Sequence, residues 1–223
     1  MSSKKEARKA KKRARAADEV ELEPARAAGT GVRRGPPVAP TSGRLSGTVV
    51  NDEWQTLRRS WAQVAELFDA YRSKRVWMPF YYDGACAEHV RSLGFEHVVH
   101  RQEDFFERVL DAKFLKKVDL IWDNPPYTSA ETKERVLRAL AASGVPFAML
   151  LPISVLHVAF VREILDMEQV QVIIPRRVHV CKTGGDEVPF KYLCWLCYKT
   201  TLPRDVVFVD DDDADDGVGD VGR

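Results

Sequence analysis

Val118-Asp119-Leu120-Ile121-Trp122-Asp123-Asn124-Pro125-Pro126-Tyr127 is a short apolar run that stops in an Asp-Asn-Pro-Pro-aromatic turn. Val118, Leu120, Ile121 and Trp122 suit a buried strand. Two consecutive prolines fix φ and remove two backbone donors, so the strand must end there. The stretch predicts a strand that delivers a rigid loop.

Alternating elements surround it. Arg75 to Phe80 reads as a first strand, followed by a Tyr81-Tyr82-Asp83-Gly84-Ala85 turn and a helix that ends at Gly94. Phe95 to His100 reads as a second strand. After the loop, Thr128 with Glu131 makes a capping box for a helix that stops at Ser143-Gly144. Phe147 to Leu151 is an apolar strand, Ser154 a helix cap for a helix to about Leu165, and Val170 to Ile174 and Tyr192 to Tyr198 the closing strands. Gly184-Gly185 between them suits an antiparallel hairpin. The pattern predicts an α/β fold with a three-layer, mostly parallel sheet.

The loop has a chemical use. A planar amine, such as the exocyclic nitrogen of adenine, has its lone pair delocalised into the ring and is a poor nucleophile. The side-chain oxygen of Asn124 and the backbone oxygen of Pro125 offer two acceptors that hold both N–H groups and favour a tetrahedral nitrogen. Tyr127 would stack on the base. The structural alternative is a Pro-Pro turn that merely caps a strand.

Asp123-Asn124-Pro125-Pro126-Tyr127 resembles the catalytic motif of S-adenosylmethionine-dependent amino-methyltransferases, and Val76 to Lys199 is similar to small adenine-N6 methyltransferases of phage and large-virus type. The resemblance also rests on Pro79-Phe80 with Asp83-Gly84, on Glu103 to Phe106, on Pro146 to Ser154, on Ile173 to Arg177 and on Cys194 to Lys199. It implies a Rossmann-like class I methyltransferase fold and S-adenosyl-L-methionine as cofactor. By resemblance, Asp123, Asn124, Pro125, Pro126 and Tyr127 are catalytic. Pro79, Phe80, Tyr81, Asp83, Gly84, Glu103, Asp104, Phe105 and Asn124 would hold the cofactor, with Asp83 on its ammonium, Asp104 on its adenine amine and Phe105 on the ring. The competing reading of Asp104 is a helix N-cap with Phe105 and Phe106 in the core.

The chain departs from the family's pattern at Met78, where an acid is common, and at Tyr82, where a small residue is. Arg176 and Arg177, with Lys182, are candidates for substrate phosphates, set against an ordinary solvated turn. DNA adenine is the favoured substrate and RNA adenine the next. A catalytically idle nucleic-acid-binding subunit and a protein glutamine N5-methyltransferase are the alternatives. Between the core and the acidic tail there is no room for a target-recognition domain, so sequence specificity is expected to come from the hairpin loop, the tails or a partner protein, or to be absent.

Charge is unevenly spread. The net charge of the 223 residues is +1, yet residues 1–15 carry eight Lys or Arg and Asp210 to Asp216 contains six aspartates. The expected organisation is a disordered basic tail over 1–48, a methyltransferase domain over 49–202 and a disordered acidic tail over 203–223. Asp52 with Gln55 forms a capping-box pattern for a first helix whose stripe is Trp54, Leu57, Trp61, Val64, Phe68 and Tyr71. The basic cluster reads as a solubilising tail, a nuclear-import signal or a sequence-blind phosphate grip.

Four scattered cysteines and the lack of a signal-peptide pattern predict an intracellular compartment, and prolines break the longest apolar stretch, so no membrane span is expected. No metal site is expected either. Cys194 and Cys197 are three apart on a strand and would point to opposite faces.

Overall fold

The described chain opens with strand β1 (Trp54–Thr56) and helix α1 (Arg58–Ala65), which continues as a 3-10 helix over Glu66–Tyr71. Next come β2 (Arg75–Trp77), α2 (Ala85–Ser92), β3 (His97–Val99), α3 (Phe105–Arg108), α4 (Ala112–Leu115), β4 (Leu120–Asp123) and α5 (Ala130–Ser143). β5 (Phe147–Pro152) leads through a 3-10 helix at Ile153–His157 to α6 (Ala159–Ile164). The last strands are β6 (Val170–Pro175), β7 (Val178–Lys182), β8 (Glu187–Phe190), β9 (Leu193–Tyr198) and β10 (Val206–Val209). This computed structural model describes residues 54–126, 129–182 and 185–211.

Seven strands make one mixed sheet in the order β10-β6-β9-β5-β4-β2-β3. β9 is antiparallel to both of its neighbours, and every other pair is parallel. Six strands therefore share one direction, and their carboxyl ends lie along one edge.

Strand alternation divides the apolar residues between two cores. Val76, Leu120, Trp122, Ala148, Leu150, Ile173 and Trp195 pack with Trp61, Val64 and Phe68 and with Ala87 and Val90 of α2. Trp77, Ile121, Phe147, Met149, Leu151, Val172 and Leu196 pack with Val136, Leu137 and Leu140 of α5 and Val161 of α6. The sheet is thus the middle of three layers, as the alternation of elements predicts. Trp61, Trp122 and Trp195 are fully enclosed, with Trp61 ring centroids 5.1 Å from each of the other two. Aromatic pairs at such spacing contribute about 0.5–1.5 kcal/mol each beyond their area burial.

Several expectations need correction. The first helix does not start near Asp52, which lies outside the described residues; Trp54–Thr56 is a strand paired antiparallel with β7, and the helix begins at Arg58. Trp61, Val64 and Phe68 still face the core. The Gly184-Gly185 turn does not join the two closing strands of the main sheet. The β7–β8 hairpin intervenes and forms a second, three-stranded sheet with β1. Gly184 is outside the described residues, and Gly185 N–H donates to Lys182 O at 2.8 Å. The helix expected from Ser154 to Leu165 is split into a 3-10 helix and α6. Ser129 caps α5 by accepting from Thr132 N–H at 3.0 Å; Thr128 is outside the described residues. Gly144 ends α5 at φ 70°, the left-handed stop expected there.

The sheet also runs past residue 202. β10 pairs parallel with β6, and Val207 and Val209 pack against the core. Gln171 grips its approach, accepting from Leu202 N–H at 2.8 Å and donating to the Leu202 and Arg204 carbonyls. Beyond it, buried Asp211 meets His179 Nε2 at 2.9 Å, and His179 Nδ1 lies 2.6 Å from Glu187. Part of the expected acidic tail is therefore structural.

Candidate functional site

β3 lies on one side of β2 and β4 on the other, so the strand order reverses at β2. In open α/β sheets ligands bind outside the carboxyl ends of the strands at such a reversal. The predicted loop leaves the sheet there. Asp123 is the last residue of β4, almost fully buried, and its Oδ2 accepts from Phe80 N–H at 2.6 Å while its Oδ1 accepts from Asn124 N–H at 2.8 Å. Burial pushes its carboxyl up to about 8, against the pull of the two N–H donors. With both oxygens in backbone bonds, Asp123 ties the β4 loop to the chain after β2.

Asn124 is partly buried. Its Nδ2 donates to Thr56 Oγ1 at 3.0 Å, and its Oδ1 is enclosed with no hydrogen-bond partner among the described residues. Pro125 is buried and Pro126 partly so. Tyr127 lies outside the described residues.

The chain after β2 is held from two sides. Met78 N–H donates to Val99 O at 2.9 Å, and His100 Nδ1 sits 2.7 Å from Met78 O. Burial pushes the His100 imidazolium down. Tyr81 packs on the His100 ring at 4.9 Å. Pro79 and Phe80 are buried. Asp83 turns the chain into α2 by accepting from Ala85 N–H at 2.9 Å, and its other oxygen accepts from Gln55 Nε2. Gly84 follows at φ 92°, a conformation that a side chain would strain.

After β3, Glu103 meets Arg108 Nε at 3.2 Å. Asp104 caps α3, its Oδ1 accepting from Phe106 N–H at 2.7 Å and Glu107 N–H at 3.2 Å. Phe105 is buried, 5.0 Å from Phe80 and 6.0 Å from Trp77 between ring centroids. This is the capping arrangement that the sequence left open. Asp83, Glu103 and Asp104 nevertheless put three carboxylates on consecutive turns of the carboxyl edge. Carboxylates so placed are acceptors for the hydroxyl, amine or ammonium groups of a ligand.

Arg176 and Arg177 follow β6 and open on the same edge, with Arg176 N–H donating to Val209 O at 2.8 Å. Lys182 sits apart from them at the end of β7, 5.0 Å over the Trp54 ring. Sequence reasoning missed Gln55 and Thr56, whose side chains touch Asp83 and Asn124. The one available signal was a Gln-Thr pair inside an otherwise apolar helical stripe.

Cys194 and Cys197 are buried on opposite faces of β9. No group of three or more His, Cys, Asp and Glu suited to a metal occurs among the described residues. Cys86, below Thr56 O, is pushed up to about 12 by burial and is therefore a neutral thiol. No helix among the described residues is long and apolar enough to cross a membrane.

These features define an α/β protein with a seven-stranded, mostly parallel mixed sheet and a polar constellation at its strand-order reversal. No family model matches the chain, and no curated protein matches it.

Proposed function

We propose that the protein is an S-adenosylmethionine-dependent methyltransferase that transfers a methyl group to the N6 amine of adenine in nucleic acid, DNA before RNA. The reading is carried by Asn124, whose Oδ1 is enclosed with no partner among the described residues while its amide nitrogen is held by Thr56. A buried acceptor without a donor is costly, about 1–3 kcal/mol, and is offset when a ligand N–H reaches it. Further support comes from the sheet: a seven-stranded, mostly parallel mixed sheet flanked by helices is compatible with the Rossmann-like fold that the resemblance implies.

When bound, the cofactor supplies an electrophilic methyl on a sulfonium. Asp83, with Gly84 behind it, would take its ammonium, Glu103 its ribose and Asp104 its adenine amine, with Pro79, Phe80, Tyr81 and Phe105 as the apolar surroundings. Asn124 Oδ1 and Pro125 O would accept the two N–H groups of the target amine, which localises the lone pair on nitrogen and stabilises the positive charge that develops there, and one of those protons would then leave to solvent water. Asp123 keeps this loop in register with the cofactor turn. Tyr127 stacks on the base, and Arg176, Arg177 and Lys182 serve its phosphates.

Calorimetry with S-adenosylmethionine, then mass spectrometry of nucleosides from DNA and RNA incubated with the protein, tests the reading. Cofactor binding and methyladenine are expected. Absence of cofactor binding overturns the enzyme and leaves a nucleic-acid-binding relative; methylated glutamine without methyladenine selects a protein substrate.

A further inference from the structure

We infer that β1 is a wall of the site and that Thr56 is a positioning residue that sets the orientation of the Asn124 amide; this rests on the reading just given. An asparagine amide turns about its terminal torsion through a broad, roughly two-fold profile. It therefore presents either an NH2 or an oxygen unless something fixes it. Only the oxygen can accept from a target amine.

Thr56 supplies the constraint. It has no exposed surface, and its backbone is fixed twice, by register with Val180 of β7 and by Trp61 Nε1, which donates to Thr56 O at 3.1 Å. Its hydroxyl accepts from the Asn124 amide nitrogen at 3.0 Å, an arrangement in which Oδ1 is the group presented. The adjacent residue works on the neighbouring turn, since Gln55 Nε2 donates to Asp83. Two successive residues of one strand thus hold the cofactor turn and the catalytic loop. β1 reaches that position because β7 carries it there, and Leu57 N–H donates to His179 O at 2.9 Å just beyond.

The test compares Thr56→Val, which keeps the shape and removes the acceptor, with Thr56→Ser, which keeps the hydroxyl. Thr56→Val is expected to lower kcat for adenine methylation by about tenfold to a hundredfold, the range for one lost orienting contact. KM for nucleic acid and Kd for S-adenosylmethionine should stay near the parent values, and Thr56→Ser should restore most of the turnover. In the Asn124→Ala background, Thr56→Val should cost little more, because the amide that it positions is gone. A merely structural Thr56 would instead give additive losses.

Thermal transitions are recorded for each variant; if Thr56→Val does not fold, Thr56→Ala replaces it in the same comparison. Parent-level turnover in Thr56→Val alongside an impaired Asn124→Ala overturns the positioning role and leaves the methyltransferase reading standing. Parent-level turnover in Asn124→Ala, or no methylation by the parent protein, overturns both.

Discussion

Asp123 and Phe80 are joined across the carboxyl edge of the sheet by a 2.6 Å hydrogen bond from the Phe80 N–H to the buried Asp123 Oδ2. The bond crosses from β4 to the chain after β2, the two strands that flank the order reversal. Replacing Asp123 with Ala strips the acceptor from two backbone N–H groups at once. The expected cost is roughly 2–4 kcal/mol of stability, read by urea unfolding.

Asp123 also gives stability a pH dependence. Its folded value, pushed up to about 8 by burial, lies above the ordinary carboxyl range, so the folded state holds the proton more tightly than the unfolded one. Stability from this group is fully present below the unfolded value and is lost as pH rises towards about 8. Unfolding free energy measured from pH 4 to pH 8 should fall with rising pH, and Asp123→Asn should flatten that slope.

For Asn124 the expected change is in turnover. Asn124→Ala should cost about 2–4 kcal/mol in the barrier, a hundredfold to a thousandfold in rate, by analogy with single electrostatic contacts in other active sites. Single-turnover methylation measures it, and calorimetry should show cofactor affinity much less changed. Asn124→Asp keeps an acceptor and should retain more activity than Ala.

Truncation separates the two ends of the chain. Deleting residues 1–40 should leave the thermal transition nearly unchanged, because the segment carries little apolar surface to bury, while weakening nucleic-acid binding and flattening its salt dependence. Stopping the chain at residue 202 should lower the transition substantially, since β10 and the His179–Asp211 contact go with it. A chain that ends at residue 211 should melt close to the parent.

Tyr192 is three-quarters exposed and sits at φ 64°, a left-handed conformation that a bulky side chain resists. Its carbonyl accepts from Ile153 N–H at 2.8 Å, a bond that any residue keeps. Tyr192→Asn should stabilise the fold by about 0.5–1 kcal/mol, seen as a higher thermal midpoint.

What the sequence disclosed depended on how local the cause was. β4 and its loop were readable because apolar residues and two prolines state the strand and its end within ten positions. The α5 stop was readable because Gly144 alone sets it. β1 was not: Trp54, Leu57 and Trp61 carry a helical spacing, and the partner that makes Trp54–Thr56 a strand lies far along the chain, Cys181 being 126 residues from Gln55. Thr56 and Gln55 were missed for that reason. β10 escaped because only Val207 and Val209 pack against the core, while Val206 and Phe208 stay exposed beside a run of aspartates.

The reversed strand has a consequence for how the molecule is made. β9 is the sole bridge between β5 and β6, pairing Leu193 with Pro152 at one end and Tyr198 with Val170 at the other. Until Tyr198 has been synthesised, β5, at the edge of the four main-sheet strands already joined, and the lone strand β6 both lack their partner, and an unpaired apolar edge is the feature that invites self-association in nascent chains. Closure is late and long-range, which slows folding relative to a sheet assembled from neighbours in order. A ribosome that stalls before Leu193 would release an aggregation-prone fragment, not a smaller working domain.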